Sequence, residues 1–166
     1  LPHKSNLGKN STIITNNMLV KDIMEKEVYT IKETASYEEA SLYLCEHDIS
    51  GAVVTDDAGK IVGVVSEKDL FRVLYPFASS FNAEPAAYID REAREKKASE
   101  IRHKPISEYI SRQIHSISPD APVFDAGASM LANRIHRLPV IENGKLVGIV
   151  TRSHVFKAIL KQNFSL

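Results

Sequence analysis

The chain has 166 residues, enough for one compact domain or two closely packed lobes with a buried core. Lysine and arginine number 21, as do aspartate and glutamate, so no net charge favours a nucleic acid or an anionic membrane surface. The single cysteine excludes an internal disulfide bond, and no apolar run approaches the roughly 20 residues of a membrane-spanning helix. Because Leu1 is not followed by a charged and then apolar leader, we expect a cytoplasmic protein.

An internal repeat organises the chain. Residues 20–75 and 106–160 are two copies of one sequence repeat. Equivalent positions are 86 residues apart up to the hairpin and 85 apart after it, because the second copy is one residue shorter there. Nearly every apolar position keeps its character in both copies. Two copies of one unit predict a pseudo-twofold fold with a shared cleft, and this cleft is where we expect a binding site.

Each copy predicts the order β-α-β-β-α. In chain order, the elements are a helical turn at 20–24 and 106–110, a strand at 28–31 and 114–117, a helix at 34–48 and 120–134, a hairpin at 52–65 and 138–150, and a final helix capped by Ser66 or Thr151. Asn143-Gly144 between two apolar runs is a strong hairpin signal, and Pro122 suits the first helical position. Cys45 falls within the apolar spacing of its helix, so we expect it to be buried.

Residues 76–105 differ in composition from both copies. Residues 75–82 predict a turn or loop, and residues 84–102, which begin near Pro85, predict a largely polar helix. Such a helix is either a solvated connector, which is favoured, or packs against another surface along a thin stripe of Ala86, Ile89 and Ala93. The predicted organisation is therefore an N-terminal tail (1–19), the first repeat, this helical insert, the second repeat and a C-terminal tail (161–166).

Both copies resemble cystathionine β-synthase (CBS) domains, which occur as tandem pairs. The matching stretches are residues 20–24, 47–51 and 63–70 in the first copy and residues 134–140 and 148–151 in the second. The resemblance implies an α+β fold in which two pseudo-twofold related β-α-β-β-α units pack sheet to sheet, with the helical insert between them. It also implies a homodimer, formed through helices that include those opening at Glu67 and Arg152.

In function, the resemblance implies a regulatory module rather than an enzyme. It would bind an adenosyl ligand, of the AMP, ADP, ATP or S-adenosylmethionine type, in the cleft between the repeats and transmit its occupancy to a partner or attached domain. No cofactor, nucleic acid or membrane is required. Which adenosyl ligand binds, and which target is regulated, are left open.

In the first copy, the groups expected to bind a ligand lie at the junction of strand and helix at Ser66. The first N–H groups and the dipole of the helix suit an anionic or polar ligand group, and the carboxylate of Asp69 can accept both hydroxyls of a ribose. The same spacing is that of a capping box, in which Asp69 returns to the Ser66 N–H, and the two roles are compatible. The resemblance assigns the ribose to Asp69, the ribose or phosphate to Ser66, and the adenine to Val28, Thr30, Ser50, Gly51 and Ala52.

The second copy departs from this pattern. Thr151 keeps the capping hydroxyl, but His154 stands where the first copy has Asp69. A neutral imidazole cannot accept both hydroxyls of a diol, so we expect one ligand per chain. His136 and Arg137 resemble a pair that reaches phosphates in relatives such as the regulatory gamma subunit of AMP-activated protein kinase. The alternative is that Arg137 is an ordinary surface cation.

Two other functions compete with this hypothesis. The first is a structural dimerisation module whose cleft is degenerate and empty. The second is a metal sensor or hydrolase that uses the six histidines, but no histidine pair has the i, i+4 spacing of a zinc site. No Ser-His-acid or Cys-His set is expected to converge either, so we predict no metal site and no enzyme activity.

Overall fold

The computed structural model describes residues 18–75 and 91–164, which form two related α+β units. In chain order the elements are β1 (Thr30–Lys32), α1 (Tyr37–Glu46), β2 (Gly51–Thr55), β3 (Ile61–Ser66), α2 (Glu67–Val73), α3 (Arg91–Ile101), α4 (Val123–Asn133), β4 (Arg137–Glu142), β5 (Lys145–Thr151) and α5 (Arg152–Phe164). A single 3-10 turn precedes each unit, at Val20–Asp22 and Ile106–Glu108. The predicted α+β class is confirmed.

Capping determines where the helices begin. α1 begins at Tyr37, later than predicted, because Ser36 is its N-cap. The Glu39 N–H donates to Ser36 Oγ at 3.2 Å, and the Ser36 N–H donates to the Glu39 carboxylate at 2.7 Å. α4 begins at Val123 with Pro122 as its N-cap residue, so the prediction that Pro122 occupies the first helical position was off by one residue.

The expectation that Cys45 is buried is wrong. Cys45 is exposed on α1, and its repeat counterpart Leu131 is 79% exposed on α4. The buried side chains of α1 are Tyr37, Ala40 and Leu44, which recur every three or four residues along one face. Position 45 lies beside that face rather than on it, because a surface helix buries only one stripe.

The two sheets differ in their number of strands. In the first, β1 runs parallel to β2 and β2 runs antiparallel to β3. In the second, β4 and β5 are antiparallel, but the predicted strand at 114–117 is reduced to one parallel bridge between Ile117 and Val140. The next hydrogen bond of the ladder explains this difference. In the first unit the Glu33 N–H donates to the Thr55 carbonyl oxygen at 2.9 Å, whereas Pro119, the counterpart of Glu33, has no N–H to donate.

The segment that leads into each unit crosses to the other unit. We call residues 20–27 and 106–113 the lead segments. Val20, in the first, is fully buried in the core of the second unit, and Ile106, in the second, is fully buried in the core of the first. Each unit's core is therefore completed by residues from the other repeat, and this exchange ties the two halves together along the cleft.

The insert is described only from residue 91 onwards. α3 is largely polar, and its last residue, Ile101, is buried in the core of the first unit. Directly after it, the Arg102 guanidinium pairs with the Glu38 carboxylate of α1 at 2.6 Å. Of the stripe predicted for this helix, Ala93 is half-buried, while Ala86, Ile89 and the predicted start near Pro85 lie outside the described residues.

Candidate ligand-binding cleft

The junction of β3 and α2 forms the capping box that the sequence allows. Ser66 Oγ and the Ser66 N–H both donate to Asp69 Oδ2, at 2.6 and 3.0 Å, and the Asp69 N–H lies 3.4 Å from Ser66 Oγ. Only one carboxylate oxygen of Asp69 is used in this way. Within the described ranges, Oδ1 has no hydrogen bond and is available to a ligand hydroxyl.

A cleft of about 420 Å³ opens beside this junction, between the two units. One wall comes from the first unit and carries Asp69. The other comes from the second lead segment, the residues that follow it, and the turn between α4 and β4. The lining residues are Ser50, Val64, Val65, Ser66, Glu67, Lys68, Asp69, Ser111, Gln113, His115, Asn133, Arg134, Ile135, His136, Arg137 and Pro139. This volume lies in the range of small-molecule sites.

The cleft brings together only part of the predicted site. The predicted residues that line it are Ser50, Ser66, Asp69, His136 and Arg137, and those that do not are Val28, Thr30, Gly51, Ala52, Thr151 and His154. Gly51 and Ala52 are buried, and Ala52 packs in the core of the first unit. Thr30 is exposed on β1. The roles assigned to these residues stay predictions.

Three basic lining residues, Lys68, His115 and Arg134, do not belong to the predicted site. His115 was assigned to a strand of the second unit, where it had no reason to reach the cleft. It lines the cleft because it follows the second lead segment, which crosses to β3. Arg134 ends α4 in the left-handed conformation, with φ 54°, and could have been found because it begins the matched stretch 134–140.

Arg137 joins the two units across the cleft. Its guanidinium donates to Ser50 Oγ at 2.6 Å and to the Gly51 carbonyl oxygen, both in the first unit. Burial lowers the pKa of Arg137 from its ordinary value, while the nearby carboxylates of Glu67 and Asp69 act in the opposite direction. Arg137 is thus more than a surface cation, since it is half-buried and holds the two repeats together.

The corresponding junction of the second copy, at the start of α5, is capped by an imidazole instead of a carboxylate. The Thr151 N–H donates to His154 Nδ1 at 3.3 Å, so the imidazole replaces the carboxylate in the cap. His154 Nε2 lies 3.1 Å from the carboxylate of Glu25, which belongs to the first lead segment. Because Nδ1 accepts a hydrogen bond, a neutral imidazole in this position has its hydrogen on Nε2, the nitrogen nearest Glu25.

A larger recess of about 530 Å³ lies between α1 and α3. It contains the ion pair of Glu38 and Arg102, and both side chains also contact solvent, with 36% and 57% exposure. Its third charged residue, Glu95, pairs with Arg91, so the charged groups of the recess offer no convergent set for a ligand. The cleft at Asp69 is the better candidate, because an available carboxylate oxygen faces several cations there.

The described parts of the chain contain no cluster of three or more His, Cys, Asp or Glu side chains arranged to hold a metal ion. Among the helices described, none is both long enough and apolar enough to cross a membrane.

Comparison with known proteins gives a consistent result. The family model described as CBS domain matches residues 20–76 and 106–161. An A-adding tRNA nucleotidyltransferase of Aquifex aeolicus is 30% identical over 142 residues, which are 84% of this chain but only 14% of that protein. CBSX2 in complex with AMP has a TM-score of 0.66 at 27% identity, with 87% of this chain and 97% of that one covered. The CBS domain pair of protein MJ0100, in complex with 5′-methylthioadenosine and S-adenosyl-L-methionine, has a TM-score of 0.65 at 25% identity and covers 88% and 98%.

Proposed function

Since the chain belongs to the CBS domain family, we propose that it is a regulatory module that binds an adenosyl ligand in the cleft at Asp69. CBSX2 binds AMP, and the MJ0100 pair binds 5′-methylthioadenosine and S-adenosyl-L-methionine. Both share the fold over most of this chain. Ligand occupancy is then passed to a partner or attached domain, with no catalytic step and no required cofactor.

The observation that carries the proposal is the polarity of the cleft. Asp69 Oδ1 is available on one wall, and Arg134 and His136 lie on the other. A carboxylate accepts ribose hydroxyls, whereas a guanidinium pairs with phosphate oxygens. An adenosine 5′-phosphate has these two groups at neighbouring positions, so it matches both walls at once. Ser66 lies between them, at the N-terminus of α2, where backbone N–H groups favour an anion.

Arg137 contributes to this site in two ways. Two of its N–H groups are committed to Ser50 and Gly51, which leaves the other donors of the guanidinium for a phosphate. A ligand phosphate beside Arg137 would therefore also touch the link between the two units. This contact is the route that we propose for transmission of occupancy within the chain.

The test is calorimetric titration of the purified chain with adenosine, AMP and S-adenosylmethionine, using wild type and Asp69→Ala. We expect the variant to lose about 10- to 100-fold in affinity for all three, since the lost bonds are charge-assisted. Glu39→Ala is the matched control, because it removes the same kind of capping box from α1, away from the cleft. Equal losses in both variants, or no binding by wild type, would contradict the proposal.

The alternative is a dimerisation module with an empty cleft. It is favoured by Phe71 on α2 and Phe156 on α5, which occupy equivalent repeat positions and are each 60% exposed. We propose that these two faces form a homodimer in either case, because paired exposed phenylalanines on adjacent repeats suit a symmetric contact. The alternative would hold if light scattering gave a dimer mass while none of the three ligands bound.

A further inference from the structure

The lead segments place Glu25 and Ser111 at equivalent positions in the two halves. Ser111 exchanges two backbone hydrogen bonds with Val64 of β3, at 2.9 and 3.0 Å. Glu25 exchanges the corresponding two with Ile149 of β5, at 2.9 and 2.8 Å. Since the backbone is held in the same way on both sides, any difference between the two clefts at this position comes from the side chain.

Those side chains have opposite effects. Ser111 is short and lines the open cleft near Asp69. Glu25 is long, and its carboxylate meets His154 Nε2 at 3.1 Å, across the place that corresponds to that opening. His154 is held in turn by the Thr151 N–H, so it is fixed at both ring nitrogens. The second cleft is bridged by a contact between the two repeats.

The second cleft also lacks the two guanidiniums of the first, although Arg152, the counterpart of Glu67, is exposed at the start of α5. The counterpart of Arg134 is Asp48, which follows the C-cap residue of α1 and has the same left-handed conformation, with φ 50° against 54°. The counterpart of Arg137 is Gly51, which has no side chain and is buried against that same guanidinium. An opened second cleft would thus present a carboxylate where the first presents a guanidinium, and it would favour an uncharged nucleoside over a nucleotide.

We infer that Glu25 and Ser111 are the residues that decide which cleft accepts a ligand. The inference rests on the proposed function for the first cleft. The second cleft is a nucleoside site that Glu25, in contact with His154, obstructs, and Ser111 leaves the first one open. Changing His154 to aspartate alone does not open the second cleft, because the long Glu25 side chain stays where the first cleft has Ser111 and adds a second carboxylate beside the new one.

The experiment is titration with adenosine and AMP of wild type, His154→Asp, and the double variant Glu25→Ser with His154→Asp, which copies the first cleft. We expect one adenosine per chain for the first two proteins and two for the double variant. AMP should stay at one throughout, since Asp48 repels its phosphate. Glu142→Ser, an exposed change at the β4–β5 turn, is the matched control and should bind as wild type does.

A second adenosine with His154→Asp alone, or one adenosine in the double variant, would overturn the inference. A wild type that binds neither ligand would instead remove the proposed function. If the wild type binds neither ligand, one adenosine per chain in the double variant supports the inference. No adenosine in the double variant then refutes it. If the double variant does not fold, the variant Glu25→Ala with His154→Asn takes its place. It introduces no new charge, and the asparagine keeps an acceptor oxygen at position 154. The same adenosine stoichiometry is expected for it.

Discussion

Replacing Arg137 tests how strongly the two units are joined. Arg137→Ala removes the hydrogen bonds to Ser50 Oγ, at 2.6 Å, and to the Gly51 carbonyl oxygen. Hydrogen bonds to charged groups contribute about 1.5–3 kcal/mol each, but Arg137 also regains hydration on unfolding. We therefore expect a total loss of about 2 kcal/mol in the free energy of unfolding. For a chain of this size, that lowers the melting temperature by about 4–8 °C.

The assay is urea and thermal denaturation without any ligand. Arg137→Lys keeps the charge but not the planar fork, so its loss should be intermediate, about 1 kcal/mol. Arg112→Ala is the control, because Arg112 is exposed and makes one long hydrogen bond of 3.4 Å to Ser107. It should stay within about 0.5 kcal/mol of wild type. If Arg137→Ala were as stable as this control, the guanidinium would serve a ligand only, and our account of the link would be wrong.

Two further predictions concern helix ends and helix faces. Arg134→Gly should raise the free energy of unfolding by about 1 kcal/mol, because only glycine adopts this left-handed conformation without strain, while AMP affinity falls. Asp48→Gly should raise the free energy of unfolding by less, because aspartate tolerates the left-handed conformation better than arginine does. Equal increases for the two variants in urea denaturation would contradict this reasoning. The double variant Phe71→Ser with Phe156→Ser should have half the wild-type mass in light scattering, because it loses the proposed dimer contact. Phe164→Ser, at the end of α5, is the control and should keep the wild-type mass. An unchanged mass in the double variant would show that this face is not the dimer contact.

Features that depend on neighbouring residues could be predicted from the sequence. The β4–β5 turn follows from Asn143-Gly144, whose residues both have positive φ, 49° and 76°. The cap of α2 follows from the spacing of Ser66 and Asp69. The loss of a strand before α4 could also have been foreseen, because Pro119 is visible in the sequence and cannot donate.

Features that depend on contacts between the repeats could not be predicted in this way. Val20 is assigned by the sequence to the first repeat, but it is buried in the core of the second unit. Periodicity shows that a residue is buried but not which unit it packs against. The contact between Glu25 and His154 depends on the same exchange of lead segments, so it was equally out of reach.

The asymmetry between the two clefts has a geometric origin at the pseudo-twofold axis. Equivalent residues of two related units touch only near that axis, and Gly51 and Arg137 are such a pair. A Cβ atom on Gly51 would lie 2.7 Å from Arg137 Nη1 and 2.5 Å from the carbonyl oxygen of Val65, so a side chain there would have to displace the arginine and the backbone of β3. Two arginines at these positions would collide and repel each other. In this chain the second repeat keeps the arginine, and that arginine lines the cleft that we propose for a phosphate.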